Sequence, residues 1–253
     1  MKLWQRLGVD PGMLNKEDLE KNVRKSLEKT TYLKGVPTQK SWAVSMSSFA
    51  ACCCYVLEDI EDTKRYGRIS VDAAVDYFYS DWREKVPTDE KTIDPSWWKK
   101  RHYWYDEFWY SVLWAMCLDM WDIVLKIAQY PDMECYSERT RGSPEIAYRL
   151  LLAAVIREEN LEDYQVLVDE IEKGLRKKEK LLWAVLKAIV DKDEAAFDKA
   201  FLEYLKYYKK RETIHHGINN LTRDGTILFN LAKHKNLDVE FPEKYRDHYI
   251  CLK

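Results

Sequence analysis

Between residues 103 and 210 the sequence repeats one arrangement three times: two amphipathic segments joined by a short polar break. The segments cover 103–117 and 120–128, then 144–157 and 161–173, then 180–190 and 194–210. Apolar side chains return at i, i+3 and i+4 within them, which places them on one face of a helix. A single helix pair cannot cover its own apolar face, whereas pairs stacked side by side can. A chain with this pattern is therefore driven toward packed helical hairpins.

Aromatic residues mark the pairs. Trp114, Tyr148 and Trp183 stand in the first helices, 34 and then 35 residues apart, and Tyr164 and Phe197 in the second helices, 33 apart. That spacing is close to the period of tetratricopeptide-like hairpins. Start signals accompany the segments. Ser143-Pro144-Glu145 offers a cap followed by Pro at the first helical position, and Asn160/Asp163 and Asp191/Glu194 have the spacing of capping boxes.

Upstream, Trp42, Met46, Phe49, Cys53 and Val56 follow a helical rhythm over 42–57. Ser70 with Asp72 reads as the start of a helix over 71–85, residues 86–90 as a loop, and Asp94-Pro95 as another helix start. Only Leu237 to Phe241 alternates with a strand period, over too few residues to build a sheet. Eight Gly and seven Pro in 253 residues leave room for long helices. The expected fold is all-α, built of stacked antiparallel helix pairs as a TPR-like α-α superhelix or an irregular helical bundle. It is expected as one all-helical domain over 1–253, in which residues 1–87 can form an N-terminal lobe packed on a helix-pair region at 94–253.

Charge and composition narrow the function. A formal net charge of −2 does not suit general nucleic-acid binding, so no nucleic-acid partner is expected. The N-terminus lacks the apolar core of a secretion signal. The longest apolar stretch, 42–57, is broken by Ser45, Ser47 and Ser48 and falls short of the roughly 20 residues that span a bilayer. These features predict a cytoplasmic protein without a membrane partner. Six cysteines, three of them consecutive at Cys52, Cys53 and Cys54, show no disulfide framework and are expected reduced.

Motifs that carry chemistry are weak. Three successive cysteines on a helix diverge by about 100° each and cannot converge on one ion, so core packing is the better account. His215 and His216 diverge likewise, and neither they, His234 nor His248 has a Glu at the offset zinc hydrolases use. Asp224-Gly225-Thr226 reads as a turn into a helix over 227–233, far short of a phosphate-cradling loop, and there is no nucleophile elbow. The run from Trp97 to Tyr105 mixes rings and cations, but Trp97, Trp104 and Phe108 at helical spacing fit a core face better than base stacking. No cofactor, metal or catalytic residue is expected, and the chain reads as a binding protein rather than an enzyme.

Charge segregation supplies candidate contact residues. One acidic block comprises Glu58, Asp59, Glu61 and Asp62, and a second Glu158, Glu159, Glu162 and Asp163, extending to Asp169, Glu170 and Glu172. Basic residues gather at Arg176, Lys177, Lys178 and Lys180, and at Lys206, Lys209, Lys210 and Arg211. Blocks of one sign can steer an oppositely charged partner, although solvated helix faces carry similar clusters.

The C-terminal half carries a resemblance. An amphipathic helix from Phe197 to Tyr208 is followed by Asp224-Gly225 leading to Leu231-Ala232, then Lys235-Asn236-Leu237-Asp238-Val239, then Pro242 and Tyr245. Upstream, Glu107-Phe108-Trp109 opens an apolar run to Leu125. Over residues 105–253 this order resembles the all-helical bacterial polymorphic-toxin immunity family catalogued as number forty-nine. Asn236 stands where that pattern has Gly, a mild departure because Asn tolerates the left-handed conformation. The resemblance implies a cytosolic, non-catalytic protein that binds and neutralises a cognate toxin domain. It carries over no contact residue and no toxin chemistry. A helical-repeat adaptor for peptide or protein partners is the alternative that the pattern leaves open.

Overall fold

The computed structural model describes residues 1–28, 32–33, 36–80, 105–131, 133, 136, 142–211 and 221–252. The protein is all-α. Its helices are α1 (Leu3–Arg6), α2 (Lys16–Glu28), α3 (Thr38–Val56), α4 (Ile60–Tyr79), α5 (Tyr105–Cys117), α6 (Trp121–Ala128), α7 (Pro144–Ile156), α8 (Gln165–Lys173), α9 (Lys177–Asp191), α10 (Glu194–Arg211) and α11 (Arg223–His234). One two-residue antiparallel pair, β1 (Tyr32–Leu33) and β2 (Val36–Pro37), precedes α3. The chain forms two compact units: residues 10–135, holding α2 to α6, and residues 1–9 with 136–253, holding α1 and α7 to α11. The loop expected at 86–90, the start at Asp94-Pro95, the aromatic run from Trp97 to Trp104, and His215 and His216 lie outside the described residues.

In the unit of residues 10–135, α3 is central and its buried face is made of small side chains. Ala43, Val44, Ala50, Ala51, Cys52, Cys53, Cys54 and Val56 are buried, with Ser47 and Ser48 between them. Trp42 and Met46 are only half-buried and Phe49 is 41% exposed, so the face differs from the one its largest side chains suggest. Small residues let α4 and α5 approach closely. Gly67 of α4 lies against Trp114, where a β carbon would meet the ring at 3.0 Å. The Trp114 indole donates to the Ser48 hydroxyl at 2.8 Å. Burial also pushes the Cys54 thiol up to about 11, so the cysteine triplet behaves as core.

Ser70 does not start a helix. It is buried inside α4 and donates to the Val44 carbonyl at 2.9 Å. The start is Asp59, whose carboxylate accepts from the Asp62 amide at 3.1 Å, with Glu61 and Asp62 in the first turn.

In the unit of residues 1–9 and 136–253, α7, α9 and α11 are the first helices of successive hairpins. Their core includes Leu150, Leu151, Leu152, Leu186, Phe197, Phe201 and Tyr204. Phe201, Phe229, Phe241 and Tyr249 form a ring cluster, with Phe241 and Tyr249 stacked at 4.6 Å. The cap of α10 is Asp193, which accepts from the Ala196 amide at 2.9 Å, rather than Asp191, the last residue of α9. Asn160 accepts from Glu162, not Asp163, so a short 3-10 turn (Leu161–Tyr164) forms before α8. Asp224 and Gly225 belong to α11 itself, capped by Thr222. A β carbon on Gly225 would meet the Thr222 hydroxyl at 2.6 Å. No strand forms over 237–241.

One device recurs in both units. Among the described residues, the non-glycine residues with positive φ are Glu58, Asp119, Glu158, Lys192 and Asn236. Each follows the end of a first-of-pair helix: α3, α5, α7, α9 and α11. In each, the next amide closes a six-residue loop onto a carbonyl of the last turn: Asp59 to Cys54, Met120 to Ala115, Glu159 to Ala154, Asp193 to Ala188, Leu237 to Ala232. This is the Schellman corner, and its accepting residue is small and buried every time. The aromatic anchors lie at unequal depths before these corners, so the corner, not the ring, is the equivalent position of the repeat.

Candidate binding surfaces

The first acidic block is largely consumed by the fold. Glu58 occupies a left-handed corner at φ 62°. Asp59 caps α4 and also accepts from the Lys16 ammonium at the start of α2, which holds its carboxyl below the usual range. Asp62 pairs with Lys16 at 3.2 Å and with Arg65 at 3.0 Å. Glu61 alone is exposed without an ion pair among the described residues. These side chains tie α2 to α4.

The second block surrounds the corner between α7 and the 3-10 turn, in the other unit. Glu158, at φ 60°, pairs with Lys235 beyond the end of α11. Glu159 receives Arg157 through two nitrogens, at 2.7 and 2.6 Å, and also accepts from the Tyr164 hydroxyl. The hydrogen bonds from Lys235 and Arg157 hold both carboxyls below their ordinary values. Glu162 accepts from the Asn160 amide at 3.2 Å, and both it and Asp163 are exposed.

Beside this block lies a cleft of about 400 Å³. Val155, Leu161, Ile189 and Val190 supply its apolar part, and Glu158, Glu159, Lys192, His234, Lys235 and Asn236 its polar part. Three corner residues, Glu158, Lys192 and Asn236, therefore line one concavity. The structure thus joins Glu158 and Glu159 to Lys192, His234 and Lys235, which sequence reasoning did not combine. The signal was present: a small residue four positions before each corner, Ala154, Ala188 and Ala232.

Such a cleft can accept a side chain and satisfy polar groups at its rim. Among the described residues no three His, Cys, Asp or Glu side chains converge to hold a metal ion, and no helix is long and apolar enough to cross a membrane. His248 packs instead against the Tyr208 and Tyr245 rings. No family model, curated protein or solved structure matches the chain.

Proposed function

We propose that this chain is an immunity protein: it binds a cognate bacterial toxin domain in the cytosol and holds it inactive, with no catalysis of its own. The observation that carries the reading is the cleft set among three hydrogen-bonded corners, flanked by exposed Glu162 and Asp163. A rigid, mixed-charge concavity loses little entropy when a partner docks, which suits tight recognition between folded domains. The order of helices over residues 105–253 supports the same reading through its likeness to a toxin-immunity family. Glu158, Glu162 and Asp163 are the contact residues the geometry leaves most accessible in the second block; Glu61 is the corresponding residue in the first.

Co-expression with the product of the neighbouring gene tests this. Rescue of bacterial growth, together with a complex that survives purification, is the expected outcome. A neighbour that stays toxic and unbound contradicts the proposal. The cleft also suits a helical-repeat adaptor that accepts one or two side chains of an extended peptide. That second reading requires binding to short unstructured peptides, whereas the immunity reading requires a folded toxin domain.

A further inference from the structure

The connection between α8 and α9 projects a large apolar side chain straight into solvent. Leu175 is 101% exposed, the most open large apolar residue among those described. Isolated exposed leucines are ordinary on protein surfaces, so exposure alone assigns nothing. Three further observations separate this one.

Cations flank it, two of them already paired: Lys173 with Asp169 and Arg176 with Glu145. Lys173, Arg176, Lys177 and Lys180 are exposed around it, and Lys177 and Lys180 form no ion pair among the described residues. Glu179, the acid within this run, is buried and lies 3.9 Å from Arg176, so the unpaired surface charge is that of Lys177 and Lys180. The amide end of α9 points to the same place, since its cap position, Arg176, supplies no side-chain hydrogen bond.

The knuckle is also closely packed at its base. Gly174 sits so close to its neighbours that a β carbon would meet the Glu170 carbonyl at 2.8 Å and Pro144 at 3.1 Å. Its amide donates to Glu170 at 2.9 Å, and Arg176 reaches Glu145 of α7 at 3.5 Å. An apolar tip on a closely packed turn, flanked by two unpaired lysines, has the form of an interface hot spot.

We infer that this knuckle docks on an acidic protein surface, with Leu175 entering an apolar socket and Lys177 and Lys180 meeting carboxylates around it. A protein fits better than an anionic bilayer. Exposed Glu172 and the Asp169–Lys173 pair lie close by in the chain; a flat anionic plane would meet these carboxylates along with the cations, whereas a shaped protein surface can oppose Lys177 and Lys180 alone. A nucleic acid would be matched by an aromatic tip on which bases stack, not by leucine. The inference holds for any protein partner and does not require a toxin.

The probe is a short fluorescent peptide with two aromatic residues flanked by glutamates, titrated into the full chain by anisotropy at low salt. Controls are its lysine counterpart, its alanine-for-aromatic counterpart, and phosphatidylcholine vesicles with and without phosphatidylserine. Saturable binding of the acidic aromatic peptide alone is expected. It should weaken about tenfold in Leu175→Ala, the scale of one buried leucine, and also in the Lys177→Glu/Lys180→Glu double variant. All these positions are exposed, and an unchanged circular dichroism spectrum shows that each variant folds. No saturation at millimolar peptide, equal binding of any control peptide, or indifference to both variants overturns the inference. Leu175-dependent sedimentation with phosphatidylserine vesicles without peptide binding overturns it in favour of a lipid surface.

Discussion

Asp59, one of the candidate contact residues, also serves the fold. Its carboxylate accepts the Asp62 amide and the Lys16 ammonium together, so it fixes the start of α4 and ties α2 to it. Asp59→Ala should cost about 1 kcal/mol, the value of a lost N-cap, measured by urea denaturation. The same variant should leave partner binding unchanged if the carboxylate serves the fold. Glu179 behaves in the opposite way. Burial raises its carboxyl above the ordinary value of 4.5, and one of its oxygens has no hydrogen-bond partner. The folded state then binds its proton more tightly than the unfolded chain does. Stability from this group is fully present below the unfolded value and is lost as pH rises through the folded one. Glu179→Gln should therefore gain in stability relative to the parent as pH rises from 4 to 8, and a flat difference across that range would contradict the assignment.

At the scale of elements, the corners organise the fold. Five first-of-pair helices end in the same six-residue loop, with Glu58, Asp119, Glu158, Lys192 or Asn236 in a conformation that glycine adopts more easily. Lys192→Gly should raise stability by about 1 kcal/mol, and Lys192→Val should lower it by about as much or more, read from thermal midpoints. Equal stability of both would mean that the corner is not left-handed in solution.

This is also where legibility in the sequence divides. Hairpin order from 105 to 211 and the all-α class could be read from periodicity, because tertiary packing uses the same apolar stripes that the pattern displays. The face of α3 could not. Its contacts are made by Ala, Ser and Cys, which carry little hydrophobic signal, while Phe49, the obvious anchor, is exposed. Ser70 imitates a cap because serine serves both helix starts and buried hydrogen bonds to carbonyls, and only packing decides between them. The helices α1 and α2 were not read at all. Of the candidate contact residues, sequence located the acidic blocks but not their pairing. Lys16 and Lys235 come from positions 43 and 77 residues away, a separation that no local pattern encodes.

Over the whole molecule, two surfaces of the described residues stand out. The cleft among three corners and the knuckle at Leu175 both lie in the unit of residues 1–9 and 136–253, each on a helical frame. Partner binding without turnover is the function proposed for them, and stoichiometry distinguishes it from catalysis. The decisive measurement is a titration of the purified toxin proposed to be encoded by the neighbouring gene, at fixed concentration and activity, with this chain. The account predicts that toxin activity falls linearly and vanishes at one chain per toxin, with intact toxin recovered on dissociation. Inactivation by a small fraction of that amount, or chemically altered toxin afterwards, would contradict it and place a catalyst where a binding protein is proposed.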